Sequence, residues 1–240
     1  GPPKDTGAVH NRRGTTVRFH PDPDIFGPGV GFRPALLYRM ARSKAYLFRG
    51  VEIRWSCDPA LLKKGDGTPE HDVLHFPGGL ADFLATTLED RATLTPGLFS
   101  GDAPLNGDSG KVEWAVAWPV DEDAFLNSYC NTVPTPQGGT HELGFRSALA
   151  KGLRAYGELV GNKRAAQLTA DDVAGGVRGM LSVFLREPQF QGQTKEKLVT
   201  PAASRLVEVT LKDHFDHWLS ADPEAANALL ELVLERLDER

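Results

Sequence analysis

The stretch FQGQTKEKL, residues 190–198, places a glutamine, a threonine and a lysine in succession within a short polar segment. Lysine carries a compact positive charge, and glutamine and threonine side chains donate hydrogen bonds, so Gln193, Thr194 and Lys195 have the chemistry to bind a phosphate group. The same composition is ordinary for a solvated connector, because surface loops are polar and glycine lets the chain turn. The stretch alone leaves both interpretations open, and the connector is the commoner of the two.

Two histidine pairs raise the question of a metal site. His214 and His217 lie three residues apart in KDHFDHW, whereas zinc sites on one helix favour a spacing of four, and Phe215 belongs to an apolar face. We interpret this segment as the solvated face of a helix. His71 and His75 share one face of a strand with no ligand triad nearby, and we interpret them as surface or hydrogen-bonded core residues. The sequence contains no GxSxG, GxxxxGK[ST] or GxGxxG motif, and we predict no metal ligand.

Composition limits the class of protein. With 240 residues, of which 40% are hydrophobic and 25% charged, the chain can bury the core of one large domain or two small ones. A net charge of -5 argues against a uniformly basic nucleic-acid binder but permits a local basic groove. No run approaches the roughly 18 apolar residues of a membrane span. Cys57 and Cys130 form no CxxC pair, which indicates reduced thiols in a cytoplasmic protein.

Strands and helices alternate in the predicted order of elements. Alternating or continuous apolar residues predict strands at 14–22, 50–57, 71–76, 111–120, 124–133 and 180–185. Helical spacing predicts helices at 34–48, 78–90, 140–160 and from 201 onward, with a break at Pro223. Residues 121–123 predict an acidic turn, and Thr169 before an acidic turn predicts a helix N-cap. The turn-rich stretch 57–69 predicts a domain boundary.

Three stretches, in this order and at these separations, resemble the second half of the ATPase region in the B subunit of the bacterial type II DNA topoisomerases. They are RRGTTVRFHPD (12–22), NTVPTPQGGTHELGFRSAL (131–149) and FQGQTKEKLVT (190–200). The stretches YLFRGVEIRW and FPGGLADFL fit as well, so the resemblance runs along nearly the whole chain. Within the family, the forms PTPQGGTH and NRRGTTV are closer to the topoisomerase IV branch than to the gyrase branch.

The resemblance implies an α/β (α+β) fold in two parts. Residues 1–60 correspond to the last strand and a helix of the ATP-binding domain shared with gyrase, Hsp90, histidine kinases and MutL. Residues 61–240 correspond to the transducer domain, which in the family has a left-handed βαβ crossover and a long C-terminal helix. The family's general base, Mg²⁺-binding asparagine and glycine-rich lid match no part of this sequence. We therefore expect a piece of a longer protein that does not hydrolyse ATP by itself.

The resemblance also assigns the polar stretch of residues 190–198. In the family, a QTK loop reaches from the transducer into the ATP site, where its lysine meets the γ-phosphate. Gln193, Thr194 and Lys195 match that loop, with Gln193 and Lys195 as the catalytic candidates, and Lys197 is interpreted as a solvated neighbour. Thr15 and Val17 would line the adenine pocket. ATP and Mg²⁺ are the implied cofactors of the full-length protein.

A DNA-contacting surface is implied on the helix predicted at 140–160. The arginine that matches Arg146 lines a hole through which a DNA segment passes in the family, and Lys151 and Arg154 could extend that lining. From the residues alone, Arg146 flanks the apolar stripe and could form an ion pair there, while Lys151 and Arg154 could be solvated. The implied partners are DNA, the A subunit of topoisomerase IV and a second B subunit in an A₂B₂ enzyme, with no membrane.

The function implied by the resemblance is that of an ATP-dependent DNA topoisomerase, an isomerase of the bacterial cytoplasm. Such an enzyme couples ATP binding and hydrolysis to DNA strand passage, relaxation and decatenation during chromosome segregation. Two alternatives stay open. One is the gyrase branch of the same family, and the other is a stand-alone, non-catalytic α/β interaction module in which the QTK stretch is only a loop.

Overall fold

The computed structural model describes residues 2, 4–8, 10–11, 13–89, 91–120 and 124–239. Its helices are α1 (Pro23–Phe26), α2 (Pro34–Leu47), α3 (Leu80–Thr86), α4 (Thr140–Leu159), α5 (Ala170–Ala174), α6 (Pro201–Ala221) and α7 (Pro223–Glu239). Its strands are β1 (Glu52–Ser56), β2 (His71–His75), β3 (Phe99–Leu105), β4 (Gly110–Ala117), β5 (Phe125–Cys130), β6 (Val133–Pro134), β7 (Arg178–Leu185), β8 (Phe190–Gln191) and β9 (Lys197–Leu198). Short 3₁₀ turns cover Pro59–Leu61, Asn106–Asp108 and Lys163–Gln167.

A five-stranded mixed sheet with the order β3-β4-β7-β5-β6 organises the molecule. Strand β7 pairs antiparallel with β4 and parallel with β5. Nearly all of β7 is buried, as expected for a central strand that is covered on both faces. Because β5 and β7 are parallel, the chain between them has to cross over, and it does so through α4 and α5. The left-handed sense of this crossover stays a prediction.

One face of the sheet forms the larger core with α4, α6 and α7. Trp118 stacks on Phe215 and Trp218 of α6, with ring centroids 6.0 and 5.5 Å away. Helices α4 and α6 approach closely at Gly144, where a Cβ atom would lie 2.2 Å from the carbonyl oxygen of Ser204. A glycine at this position therefore sets the spacing between the two helices that cover the sheet.

The opposite face of the sheet is covered by α2, α3 and the β1–β2 hairpin. Tyr46 of α2 is buried and its hydroxyl lies 2.7 Å from that of Tyr129 on β5. The ammonium of Lys44 donates to the carbonyl oxygen of Thr132 at 2.8 Å. Strands β1 and β2 pair with each other across the turn-rich stretch 57–69. The division into domains at residues 60 and 61 stays a prediction, and both segments pack against the same sheet.

Most predicted elements are confirmed with slightly shorter bounds, and Thr169 forms a capping box at the start of α5. The strand predicted at 14–22 is wrong, because this segment forms no ladder of backbone hydrogen bonds within the described residues. Val17 and Phe19 are 76% and 71% exposed there. Alternation indicates a potential strand, but a strand needs a neighbour to pair with. The acidic turn predicted at 121–123 lies outside the described residues.

No helix in the described part of the chain combines the length and the apolar character that crossing a membrane requires.

Candidate functional site

The three residues of the QTK stretch lie together at the tip of a small β-hairpin. In this QTK hairpin, defined as residues 190–198, Phe190 pairs with Leu198 and Gln191 with Lys197. Lys195 has a φ of 57° and its side chain nitrogen lies 5.8 Å from the centre of the Phe190 ring. Gln193, Thr194 and Lys195 are all exposed. Their donor groups are therefore available to a ligand that approaches the tip.

The base of the QTK hairpin is docked onto residues 137–139, which we call the docking turn. The amide of Leu198 donates to the carbonyl oxygen of Gly138 at 3.0 Å, and the amide of Gln137 donates to that of Glu196 at 3.0 Å. The Gln137 side chain also donates to the Glu196 carboxylate at 2.7 Å. Gly139 has a φ of 142°, and a Cβ atom there would lie 2.2 Å from the Leu198 carbonyl oxygen. Only glycine therefore lets the hairpin approach this closely.

A chain of buried polar groups anchors the first turn of α4 to β5. The Ser128 hydroxyl lies 2.6 Å from a Glu142 carboxylate oxygen and 2.7 Å from the Thr135 hydroxyl, which lies 3.0 Å from Nε2 of His141. A carboxylate only accepts, so Ser128 donates to Glu142 and accepts from Thr135. The Nε2–H of His141 then donates to Thr135. Burial lowers the pKa of His141 from 6.5 to about 4, so this ring is neutral at pH 7.

The neutral ring of His141 predicts a loss of stability in mild acid. Its folded-state pKa is lowered, so between about pH 6.5 and pH 4 the unfolded chain binds a proton that the folded chain does not. From pH 7 to pH 5, the free energy of unfolding of wild type should fall by about 2 kcal/mol more than that of His141→Gln. Urea denaturation at the two pH values measures the difference. His217→Gln, which changes an exposed histidine on α6, is the matched control, and equal pH dependence of wild type and His141→Gln would contradict the prediction.

Arg146 lies on α4, two turns after the docking turn, with 29% of its side chain exposed. Its guanidinium nitrogens lie 3.9 Å from Glu142 and 3.6 Å from Asp171. The ion pair anticipated as an alternative is therefore present. Arg146 also lines an open cleft of about 290 Å³ beside the base of the QTK hairpin, together with Lys197. We call this the hairpin cleft. Arg146 therefore lies next to the QTK hairpin, which carries Lys195.

Lys151 and Arg154 line a different cleft, of about 830 Å³, between α4, α6 and the 3₁₀ turn Lys163–Gln167. The Lys151 ammonium lies 2.6 Å from Glu208. Burial raises the pKa of Glu208, but hydrogen bonds from Lys151 and Ser147 outweigh it and hold the pKa below its usual value. Nε of Arg154 donates to the carbonyl oxygen of Leu168 at 2.7 Å. The predicted DNA-contacting residues are thus divided between two clefts along one helix.

The remaining predicted site residues lie apart from these clefts. Thr15 and Val17 are exposed in the extended segment 13–22, and no hydrogen bond or ring contact joins that segment to the QTK hairpin in the described residues. Nδ1 of His214 and of His217 each lies within 3 Å of the carbonyl oxygen four residues earlier, at 2.9 and 2.8 Å. No group of three or more potential metal ligands clusters in the part of the chain that the structure describes.

Comparison with known proteins defines the class. Residues 79–240, more than half of the chain, match the family model of DNA gyrase B. The chain therefore belongs to the DNA gyrase B family, and the predicted family is confirmed. The chain is 56% identical over 237 residues to the B subunit of DNA topoisomerase 4 from Caulobacter vibrioides, an alignment that covers 97% of this chain and 34% of that protein. It thus spans about a third of the length of the curated relatives that it matches.

Solved structures give the same class. The topoisomerase IV ATP-binding domain of Francisella tularensis, in complex with a small-molecule inhibitor, superimposes with a TM-score of 0.73 at 27% identity, over 90% of this chain and 56% of that chain. The 43K ATPase domain of Thermus thermophilus gyrase B, in complex with an aminocoumarin, gives a TM-score of 0.72 at 28% identity, with the same coverage of 90% and 56%. The predicted fold class is confirmed.

Proposed function

We propose that this chain is the part of a type II topoisomerase ATPase subunit, of the topoisomerase IV kind, that relays nucleotide state to DNA. The observation that carries the proposal is the QTK hairpin, which has Lys195 at its exposed tip and is docked at its base onto the turn that leads into α4 and Arg146. The docked hairpin thus connects Lys195, the candidate phosphate contact, to the helix that carries Arg146, the candidate DNA contact. Relatives that are B subunits of topoisomerase 4 favour this branch over the gyrase branch.

The tip of the hairpin fits a terminal phosphate. Within the described residues, Lys195 has no ion pair, and neither Gln193 nor Thr194 has a hydrogen-bond partner for its side chain. A ligand can therefore recruit these three donors without breaking an ion pair or a side-chain hydrogen bond. ATP carries a γ-phosphate that ADP lacks, so a lysine at that group distinguishes the two nucleotides by charge. Thr15 and Val17 are proposed for the adenine pocket.

Mg²⁺ finds no set of three clustered ligands among the described residues. The described residues contain no cluster of three carboxylate, histidine or cysteine groups. The Mg²⁺ ligands and the general base of the proposed ATPase would lie in other parts of the full-length protein. Residues 1–60 are proposed as the end of the ATP-binding domain and residues 61–240 as the transducer. The match of residues 79–240 to the DNA gyrase B family model supports the assignment of the transducer.

The proposed substrate is DNA, which the full-length enzyme would relax and decatenate during chromosome segregation in the bacterial cytoplasm. Arg146, Lys151 and Arg154 are proposed to contact a transported DNA segment, and all three line open clefts on α4. A second B subunit and the A subunit, in an A₂B₂ enzyme, are the proposed protein partners. Family membership favours this function over a stand-alone interaction module, in which the QTK hairpin would bind no phosphate.

The experiment that tests this function replaces Arg146 by glutamine in the full-length protein. A side chain that binds backbone phosphates supports the response to DNA, so the ratio of DNA-stimulated to basal ATPase rate should fall. Loss of one phosphate contact should also reduce the salt dependence of DNA binding by roughly one unit of slope. Arg54→Gln, which changes an exposed arginine on β1, is the control. If the stimulated and basal rates fall together, Arg146 is a structural residue of α4.

A further inference from the structure

The hairpin cleft is lined by cations from two different elements. Arg146 belongs to α4, whereas Lys197 belongs to β9 and is therefore part of the QTK hairpin itself. Gly139 and Thr140, at the start of α4, complete one wall. The volume of about 290 Å³ is ample for a phosphate group. Helix α4 has no side-chain cap at this end, so its amide dipoles add to the positive potential of the cleft.

Three carboxylates lie at or near this positive potential, and one of them, Glu142, lines the cleft itself. One oxygen of its carboxylate accepts the Ser128 hydrogen bond at 2.6 Å and the other lies 3.9 Å from Arg146, with 17% of the side chain exposed, so both oxygens of Glu142 are already engaged. Glu196 accepts from the Gln137 side chain. Asp171, which pairs with Arg146, is 91% exposed, and ion pairs in water contribute little. An incoming phosphate can displace it.

Lys197 is exposed, and within the described residues it forms no ion pair. Its strand neighbour Leu198 is fully buried and hydrogen-bonded to the docking turn, so the backbone that carries Lys197 is fixed beside α4. The backbone of Lys197 is thus fixed at the cleft, and its exposed side chain has no counterion among the described residues. The cleft thus offers two cations to an anion: Lys197, which has no ion pair within the described residues, and Arg146, which is paired with Glu142 and with the exposed Asp171.

We propose that Arg146 and Lys197 bind one backbone phosphate of nucleic acid together in the hairpin cleft. The inference rests on the proposed function and adds to it a second residue, on the hairpin that also carries Lys195. Arg146 and Lys197 form one phosphate site only while the hairpin is docked on residues 137–139. Occupancy of the cleft therefore stabilises the docked hairpin, and by thermodynamic reciprocity docking strengthens nucleic-acid binding.

The test measures binding of a linear DNA duplex to the full-length protein over a series of salt concentrations. The variants are Arg146→Gln, Lys197→Gln and the double variant, with Lys64→Gln as the control at an exposed lysine of the 57–69 stretch. One shared phosphate that is bound only when both cations are present predicts that either single change lowers the salt slope by about one unit and that the double variant lowers it no further. DNA should also slow exchange of the Leu198 amide in wild type but not in Lys197→Gln.

The outcomes separate the two proposals. A slope that falls in Arg146→Gln but keeps its wild-type value in Lys197→Gln leaves the proposed function intact and overturns the shared site. A double variant whose slope falls by about two units shows two separate phosphates and also overturns it. Unchanged slopes in both single variants overturn the DNA contact of Arg146 together with the shared site. Circular dichroism confirms that each variant is folded.

Discussion

Replacing Lys195 by alanine in the full-length protein is expected to lower ATP turnover roughly 30- to 1,000-fold, which corresponds to about 2 to 4 kcal/mol of transition-state stabilisation. In the proposed function this ammonium lies at the γ-phosphate, where it would offset charge that develops during transfer. Affinity for ADP should barely change, since ADP has no γ-phosphate. Stability should also be retained, because the ring of Phe190 is a weak contact at 5.8 Å from the Lys195 nitrogen.

Three further variants make this experiment specific. Lys195→Arg should restore activity only in part, because a planar guanidinium is a poor substitute for a compact point charge. Gln193→Ala should reduce turnover less than Lys195→Ala, since a neutral donor contributes less than a charged one. Lys64→Ala changes an exposed lysine far from the hairpin in sequence and should behave as wild type. Wild-type turnover in Lys195→Ala would show that the hairpin tip is a solvated connector.

Replacing Gly139 by alanine is expected to undock the QTK hairpin, with a loss of about 3 to 5 kcal/mol in the free energy of unfolding. A methyl group there would meet the Leu198 carbonyl oxygen, and a φ of 142° is strained for any residue but glycine. Undocking breaks the hydrogen bonds of residues 137–139 with Glu196 and Leu198 and exposes the buried Leu198 side chain. Denaturant titration measures the loss, and hydrogen exchange at the Leu198 amide reports undocking.

Gly161→Ala is the matched control for this change. Gly161 also has a positive φ, of 78°, but a Cβ atom there would meet nothing within 4 Å. Its variant should show only the cost of backbone strain, with full protection of the Leu198 amide. If the two variants lose equal stability and Leu198 stays protected in both, the close approach at Gly139 does not hold the hairpin in place.

The chemistry of the hairpin tip could be predicted from the sequence, whereas the docking of its base could not. The residue types of Gln193, Thr194 and Lys195 already indicate phosphate chemistry or a polar connector, because both depend on local composition. The contact between Gly138 and Leu198 joins residues far apart in the chain, and local periodicity carries no information about which distant segments pair. The local sequence at Gly138 and Gly139 therefore does not identify the distant partner, and the close approach that requires Gly139 was not predicted. The interpretation of Lys197 as solvated agrees with its exposure, whereas its place in the hairpin cleft beside Arg146 was not predicted.

Strand assignment failed in two opposite ways. Strand β3 was missed because Gly101 and Pro104 weaken its pattern, although an edge strand tolerates proline since one side of it needs no ladder partner. The segment 14–22 has the better pattern but no neighbour within the described residues.

For Arg146, helical spacing placed the side chain at the flank of the apolar stripe, and only the structure showed Glu142 and Asp171 beside it.

The QTK hairpin has a docked and an undocked state, and the contacts at its base set the free-energy difference between them. Three hydrogen bonds and one buried leucine side chain hold the base, which gives a docked state favoured by about 3 to 5 kcal/mol. At a gap of this size the undocked hairpin is a minor species of under about 1% of molecules. A ligand whose affinities for the two states differ by roughly 150- to 5,000-fold is enough to balance them. Nucleotide at the tip and phosphate at the base would thus act on one equilibrium that ordinary binding energies can reverse.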